Sequence, residues 1–295
     1  MNIIDALNQQ PILLGISLLL FGLVIGSFLN VVIYRIPAMI ERDERAYCTH
    51  LIEGGDGDMP EQDAFNLATP GSRCPHCGHG IRPWENIPVL SYALLRGRCS
   101  NCGTGISIRY PIIELVTGLL TLWLGLTFGA GPMLLAMLMF TWALLALTMI
   151  DIDTMLLPDN ITLPLLWLGL LVNLFGMFAT LQDAVIGAMA GYGVLWSVFW
   201  LFKLATGKEG MGYGDFKLLA ALGAWMGWQS LPMIVLLSSF VGAVLGILMM
   251  YLQQRGKDIP MPFGPYLAIA GWIAMVWGDD LMNWYWATLG PQQPV

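Results

Sequence analysis

P-I-L-L-G-I-S-L-L-L-F-G-L-V-I-G-S-F-L-N-V-V-I-Y, residues 11–34, runs its whole length without a charged side chain. About 20 apolar residues suffice for a helix to cross the hydrocarbon layer. The run is too long for the apolar part of a cleaved signal peptide and has no basic segment before it, so a retained membrane helix is expected. Working outward, further apolar runs lie at 111–129, 132–150, 161–181, 184–202, 213–229, 231–252 and 261–277. Together they predict an all-α polytopic membrane protein of about eight transmembrane helices. A seven-span version would make one of these segments re-entrant, 213–229 being short and separated from the next run only by Ser230–Pro232. Of the 295 residues 57% are hydrophobic and 11% charged, against about 25% charged in soluble domains. That excludes a soluble enzyme, and also a disordered chain, which needs low hydrophobicity and high charge. In lipid every backbone group must pair internally, which helices achieve.

Basic residues set the orientation. Arg35, Arg42, Arg45, Arg73, Arg82, Arg96, Arg98 and Arg109 fall between the first two spans. Lys203, Lys208 and Lys217 lie around the turn between spans five and six, and Arg255 and Lys257 between spans seven and eight. All thirteen are on one side in the eight-span count. That side is expected to be the cytoplasm, with both termini opposite. The net charge of -7 argues against a nucleic-acid partner, since no basic excess is present to neutralise phosphates. Gly22 and Gly26, Gly187 and Gly191, and Gly242 and Gly246 repeat at four-residue spacing, which reads as close helix packing in the membrane.

The expected organisation is a first transmembrane helix over 1–34, a small cytoplasmic insert over 35–110, and a membrane domain over 111–295. Within the insert, 41–70 is acidic and reads as loop, with Gly54, Gly55 and Gly57 close together. Residues 71–110 carry Cys74-Pro75-His76-Cys77 and Cys99-Ser100-Asn101-Cys102. Two such pairs supply four thiolates, the donor set of a closed tetrahedral Zn²⁺ site in a zinc-ribbon-like fold. Disulfides are disfavoured in a reducing cytoplasm. Cys48 is left over as a free thiol, and His76 and His79 read as solvated.

Three carboxylates draw attention in the membrane part. Asp151 and Asp153 end the third span, and Asp215 opens the sixth in Gly210-Met211-Gly212-Tyr213-Gly214-Asp215. A carboxylate at a membrane boundary is costly and points to function, although near a helix N-terminus it also complements the dipole. Two carboxylates brought together share a proton: the ionised one can activate water while the protonated one polarises a carbonyl. The glycines before Asp215 leave bare backbone against which an extended peptide could lie. No G-x-S-x-G or H-E-x-x-H is present, and the three His are all in the insert. The competing class is a zinc-ribbon membrane protein that binds or transports, with the aspartates on an ion pathway; a third is an assembly scaffold.

These residues resemble the bifunctional type IV prepilin peptidase/N-methyltransferase family of bacterial inner membranes. The matching stretches are G-S-F-L-N-V-V-I-Y-R-I-P at 26–37, the two cysteine knuckles with R-P-W-E-N-I-P-V-L-S-Y between them, and I-R-Y-P-I-I-E-L at 108–115. The D-x₆-P segment from Asp151 and G-Y-G-D-F-K-L-L-A-A-L-G at 212–223 complete the match. The acidic segment before the first knuckle is longer than the family pattern. The resemblance implies an aspartic peptidase that removes the basic leader of prepilins and pseudopilins at the cytoplasmic face of the inner membrane. It also implies methylation of the new amino terminus from S-adenosylmethionine. It selects Asp151 over Asp153 as partner of Asp215; the two stand about 200° apart around a helix, so Asp153 is expected at the interface. Gly212, Gly214 and Lys217 then become candidates for substrate binding. Gly97, between two arginines, and Glu114, in the first turn of span two, become candidates for methyl transfer.

Overall fold

The computed structural model describes residues 3–53, 64–208, 210–253 and 262–289. Gly54, Gly55, Gly57, Arg255 and Lys257 lie outside the described residues. Among those described there is no strand, only isolated bridges between Arg73 and Gly80 and between Arg98 and Gly105. The chain divides into two compact units, Met1–Trp142 and Ala143–Val295.

The first unit holds α1 (Ile3–Asn8), α2 (Pro11–Ile52), α3 (Leu90–Leu94), α4 (Arg109–Phe128) and the start of α5 (Pro132–Thr154). At 42 residues, α2 rises about 63 Å, roughly twice the hydrocarbon thickness. The loop expected from residue 41 is thus corrected over 41–52, which is helix. The charges after Tyr34 mark where the helix leaves lipid, not where it ends. Glu41 and Arg45 pair one turn apart at 2.6 Å on its exposed surface, a spacing that supports helix in water.

The apolar part of α2 packs along α4 through glycine. A Cβ at Gly26 would lie 2.6 Å from the Cα of Glu114, and one at Gly22 2.7 Å from the Cβ of Thr121. The four-residue spacing serves the close approach expected of it. Farther along α2, Arg35 is buried and donates to the carbonyls of Asn66 and Pro70 at 2.7 and 2.5 Å. A residue that marks orientation in the sequence is here an anchor for the chain entering the insert.

The second unit comprises the end of α5, α6 (Asp159–Leu174), α7 (Leu181–Thr206), α8 (Tyr213–Met226), α9 (Leu231–Gln253) and α10 (Gly264–Leu289). Residues Leu218 to Trp225 of α8 are all buried, as expected of a helix apolar on every side. On α7 Gly187 meets the backbone of Gly223, and a Cβ at Gly191 would lie 2.6 Å from the carbonyl oxygen of Leu219. Helix α6 is pinned to α8 by polar groups. Asn173 donates to the carbonyls of Ala224 and Trp225 at 2.9 and 2.8 Å, and the Trp225 indole donates to the carbonyl of Leu165 at 2.8 Å.

Each of the eight expected spans overlaps a helix, but α6 ends at Leu174, short of the 181 expected for its span. Among the described residues, five segments are long and apolar enough to cross a membrane: α2, α4, α5, α7 and Trp228–Leu245. Helix α6 is shorter at 16 residues, and the 14 residues of α8 rise about 21 Å. Helix length therefore supports a multi-pass membrane fold without carrying the count to eight. Large apolar side chains such as Trp167, Leu236 and Phe240 stand exposed, as a lipid-facing surface requires.

Candidate functional site

Helix α5 carries Asp151 near its end and stops where Met155 takes a positive φ of 55°. Its last turn is closed by the Met155 amide donating to the carbonyl of Asp151 at 2.9 Å. Asp151 is 4% exposed and its Oδ2 is buried without a hydrogen-bond partner. Two residues on, Asp153 is exposed. Asp215 lies in the first turn of α8, 7% exposed, with its amide bonded to the carbonyl of Gly212 at 3.3 Å. The two carboxylates are near enough to act on each other electrostatically. Buried acids that share one surrounding of apolar helix cannot both ionise freely, so the pair is suited to hold one proton between two carboxylates.

The glycines before Asp215 have different surroundings. A Cβ at Gly214 would lie 2.7 Å from the Cβ of Leu157, so this glycine admits the loop after α5 instead of leaving a bare lane. Gly212 is open, its nearest neighbour being a carboxylate oxygen of Asp215 at 3.9 Å. Lys217 is bound at 2.7 and 2.8 Å to both oxygens of Asp159, the first residue of α6. Two residues beside the aspartates go unread in the sequence, Leu157 and Gly264. A Cβ on Gly264 would lie 2.5 Å from Asp151 Oδ2 and 3.1 Å from Leu157 Cδ1. The available signal is Pro262-Phe263-Gly264-Pro265 at the head of the last helix, since clustered proline and glycine punctuate structure.

The insert, in the first unit, gathers the four expected cysteines. The sulfurs of Cys74, Cys77, Cys99 and Cys102 lie within 4.8 Å of one another, with Cys74 to Cys102 at 3.8 Å and Cys77 to Cys99 at 4.0 Å. A tetrahedron of Zn–S bonds near 2.3 Å has edges of about 3.8 Å, so the thiols fit zinc. Each knuckle is built alike: the Cys74 amide donates to His79 and the Gly78 amide to Cys74, as Cys99 does to Thr104 and Gly103 to Cys99. Gly78 and Gly103 sit at φ 70° and 73°, where a side chain would be strained. Hydrogen bonds from the Thr104 side chain and backbone pull the Cys102 thiol down to about 6, and backbone and Asn101 bonds lower Cys77 as well. Thiolates are the form a metal needs.

Gly97 and Glu114 each have close neighbours of their own. Gly97 is at φ 68°, and its missing side chain makes room for the Tyr92 ring, 2.9 Å from where a Cβ would stand. The buried Glu114 accepts the Val89 amide at 2.7 Å. Both residues are engaged by neighbours, Gly97 by the Tyr92 ring inside the insert and Glu114 by the Val89 amide at its junction with α4.

Residues 20–128 match the model of the bacterial peptidase A24 N-terminal domain, and residues 138–247 that of the type IV leader peptidase family. A prepilin leader peptidase/N-methyltransferase of Stutzerimonas stutzeri is 54% identical over 97% of this chain and 98% of its own length. Relatives of the same name from Pseudomonas aeruginosa and Aeromonas hydrophila are 55% and 59% identical, over 97% and 90% of this chain and 98% and 91% of theirs. No solved structure matches the chain.

Proposed function

The chain belongs to the type IV leader peptidase family, and from that membership we propose that Asp151 and Asp215 cut the leader from prepilins and pseudopilins at the cytoplasmic face of a bacterial inner membrane. The enzyme is a peptidase and N-methyltransferase, matching its relatives over nearly their full length. The observation that supports the residue assignment is a pair of buried aspartates on different helices, with Leu157 standing beside both Gly214, the residue before Asp215, and Gly264, the neighbour of Asp151. The ionised member takes a proton from water as the water oxygen bonds to the scissile carbonyl carbon. The protonated member donates to the carbonyl oxygen, and collapse breaks the C–N bond as the amine leaves with a proton. Both steps proceed without a covalent nucleophile.

Gly212, open beside Asp215, is the proposed seat for the extended substrate backbone. Gly214 and Lys217 shape that seat through Leu157 and Asp159. Zinc on the four cysteines would fix the insert; when bound it supplies a structural cross-link, with no part in hydrolysis. Methyl transfer from S-adenosylmethionine is assigned to the junction of insert and membrane, where Gly97 and Glu114 build the framework. The test is mass spectrometry of the amino terminus of a prepilin with a basic leader. Asp151→Asn and Asp215→Asn should each abolish cleavage in protein that still inserts, and Asp153→Asn should be mild. Full cleavage by Asp215→Asn would overturn the mechanism.

A further inference from the structure

Helix α10 opens beside the first aspartate. In its first turn Pro265 has no amide hydrogen, and the amides of Tyr266 and Leu267 donate to the Phe263 carbonyl at 3.1 and 3.2 Å. The amide left over is that of Gly264, and it is the backbone donor facing the Asp151 carboxylate. The Asp151 oxygen that lacks a partner, Oδ2, is also the atom nearest to where a side chain on Gly264 would begin, at 2.5 Å. A Cβ essentially never comes within 3.0 Å of a heavy atom outside its own stretch of chain. An edge-on contact between Phe263 and Tyr266, centroids 6.4 Å apart, braces the turn. The turn is thus fixed, bare where it meets Asp151, and presents the positive end of a 26-residue helix.

From this geometry, and resting on the reading of Asp151 and Asp215 as the hydrolytic pair, we infer that Gly264 is a positioning residue for Asp151. Its backbone, without a side chain, leaves the carboxylate room in one orientation that a Cβ would take away. Oδ2 has no hydrogen-bond partner and so remains available to take a proton from the reacting water. A methyl group at 264 would turn the carboxylate away, and a displacement of about 1 Å in such a group can cost about 100-fold in rate. The rival explanation is that Gly264 is small only to pack on Leu157, 3.1 Å from the same Cβ position.

The experiment uses the full chain in detergent. Gly264→Ala should lower kcat for cleavage about 100-fold with KM nearly unchanged, and should still methylate a pilin whose leader is already removed. In a Leu157→Ala background the kcat loss should keep the same factor, measured against Leu157→Ala alone. Melting temperature gives a readout independent of activity: Gly264→Ala should lower it clearly in the wild-type background and much less with Asp151→Ala, where the colliding oxygen is gone. Normal kcat, a loss that vanishes with Leu157→Ala, or the same melting drop with and without the Asp151 carboxylate would each overturn the inference. Cleavage surviving in Asp151→Ala would instead sink the aspartate assignment, and the melting cycle would still report on the contact.

Discussion

Between residues 71 and 108 the buried residues are Cys74 and Gly97, whereas ten of the fourteen residues of α8 are buried. The insert has almost no core, and its order comes from two turns repeated around four sulfurs. The bundle has a core so close that backbone meets backbone at Gly187 and Gly223. One region is specified by short-range pattern and a cross-link, the other by shape complementarity between segments far apart in sequence. Their failure modes should differ accordingly.

The largest effect should come from removing the cross-link. Structural zinc in small domains is worth about 10–16 kcal/mol at neutral pH, far more than two buried residues can replace. Chelation, or Cys99→Ser, should therefore unfold residues 71–108 and expose them to limited proteolysis. Methyl transfer should fall with the insert, while the melting of the bundle and cleavage of prepilin suffer less. Metal analysis should find one zinc per chain in protein purified without chelator. An insert that stays protease-resistant when stripped of metal would remove the contrast altogether.

The same contrast explains what the sequence discloses. The cysteine knuckles are local, so the spacing of Cys74, Cys77, Cys99 and Cys102 foretells their convergence. Membrane helices are legible because a long apolar run has few other uses. The end of α2 is not legible, because composition reports the medium a helix sits in and α2 passes from lipid into water while staying helical. Asp151, Asp153 and Asp215 can be singled out by the cost of a carboxylate at the membrane boundary, and the choice of Asp151 over Asp153 comes from the family resemblance. Leu157 cannot: its importance lies in touching Gly214 and Gly264 at once, a long-range contact without a local pattern. Val89, at φ 60°, is likewise hidden, since a β-branched residue rarely adopts that conformation.

An intermediate effect is expected from overpacking the bundle. Extra methylenes in a close-packed core cost about 1–3 kcal/mol. At Gly187 the opposing atoms are backbone of Gly223, which cannot rotate aside as a side chain can. Gly187→Ala should reach the top of that range, read as a lower melting temperature in detergent, and Gly187→Leu should prevent the fold from forming. The zinc insert should keep its protease resistance in Gly187→Ala. A harmless Gly187→Leu would mean that α7 and α8 are not held by close approach.

The smallest effect concerns Glu114, the residue that ties the insert to a membrane helix. Its carboxylate on α4 accepts the amide of Val89 at 2.7 Å, and Val89 holds a backbone conformation that costs about 1–3 kcal/mol in a residue other than glycine. Something must offset that strain, and a buried, charge-assisted hydrogen bond is well suited to it. Glu114→Gln keeps an acceptor oxygen at the same reach and loses the charge, so the insert should weaken by under about 1 kcal/mol. Glu114→Ala leaves the Val89 amide without its acceptor and should cost about 1–3 kcal/mol. Insert stability should thus fall in the order Glu, Gln, Ala, with the methylated fraction of product falling in step. If Glu114 instead holds the cationic amine or the sulfonium of the methyl donor, Glu114→Gln would abolish methylation while leaving the insert as stable as before. Measuring both quantities on one set of variants separates a residue that builds the junction from one that binds there.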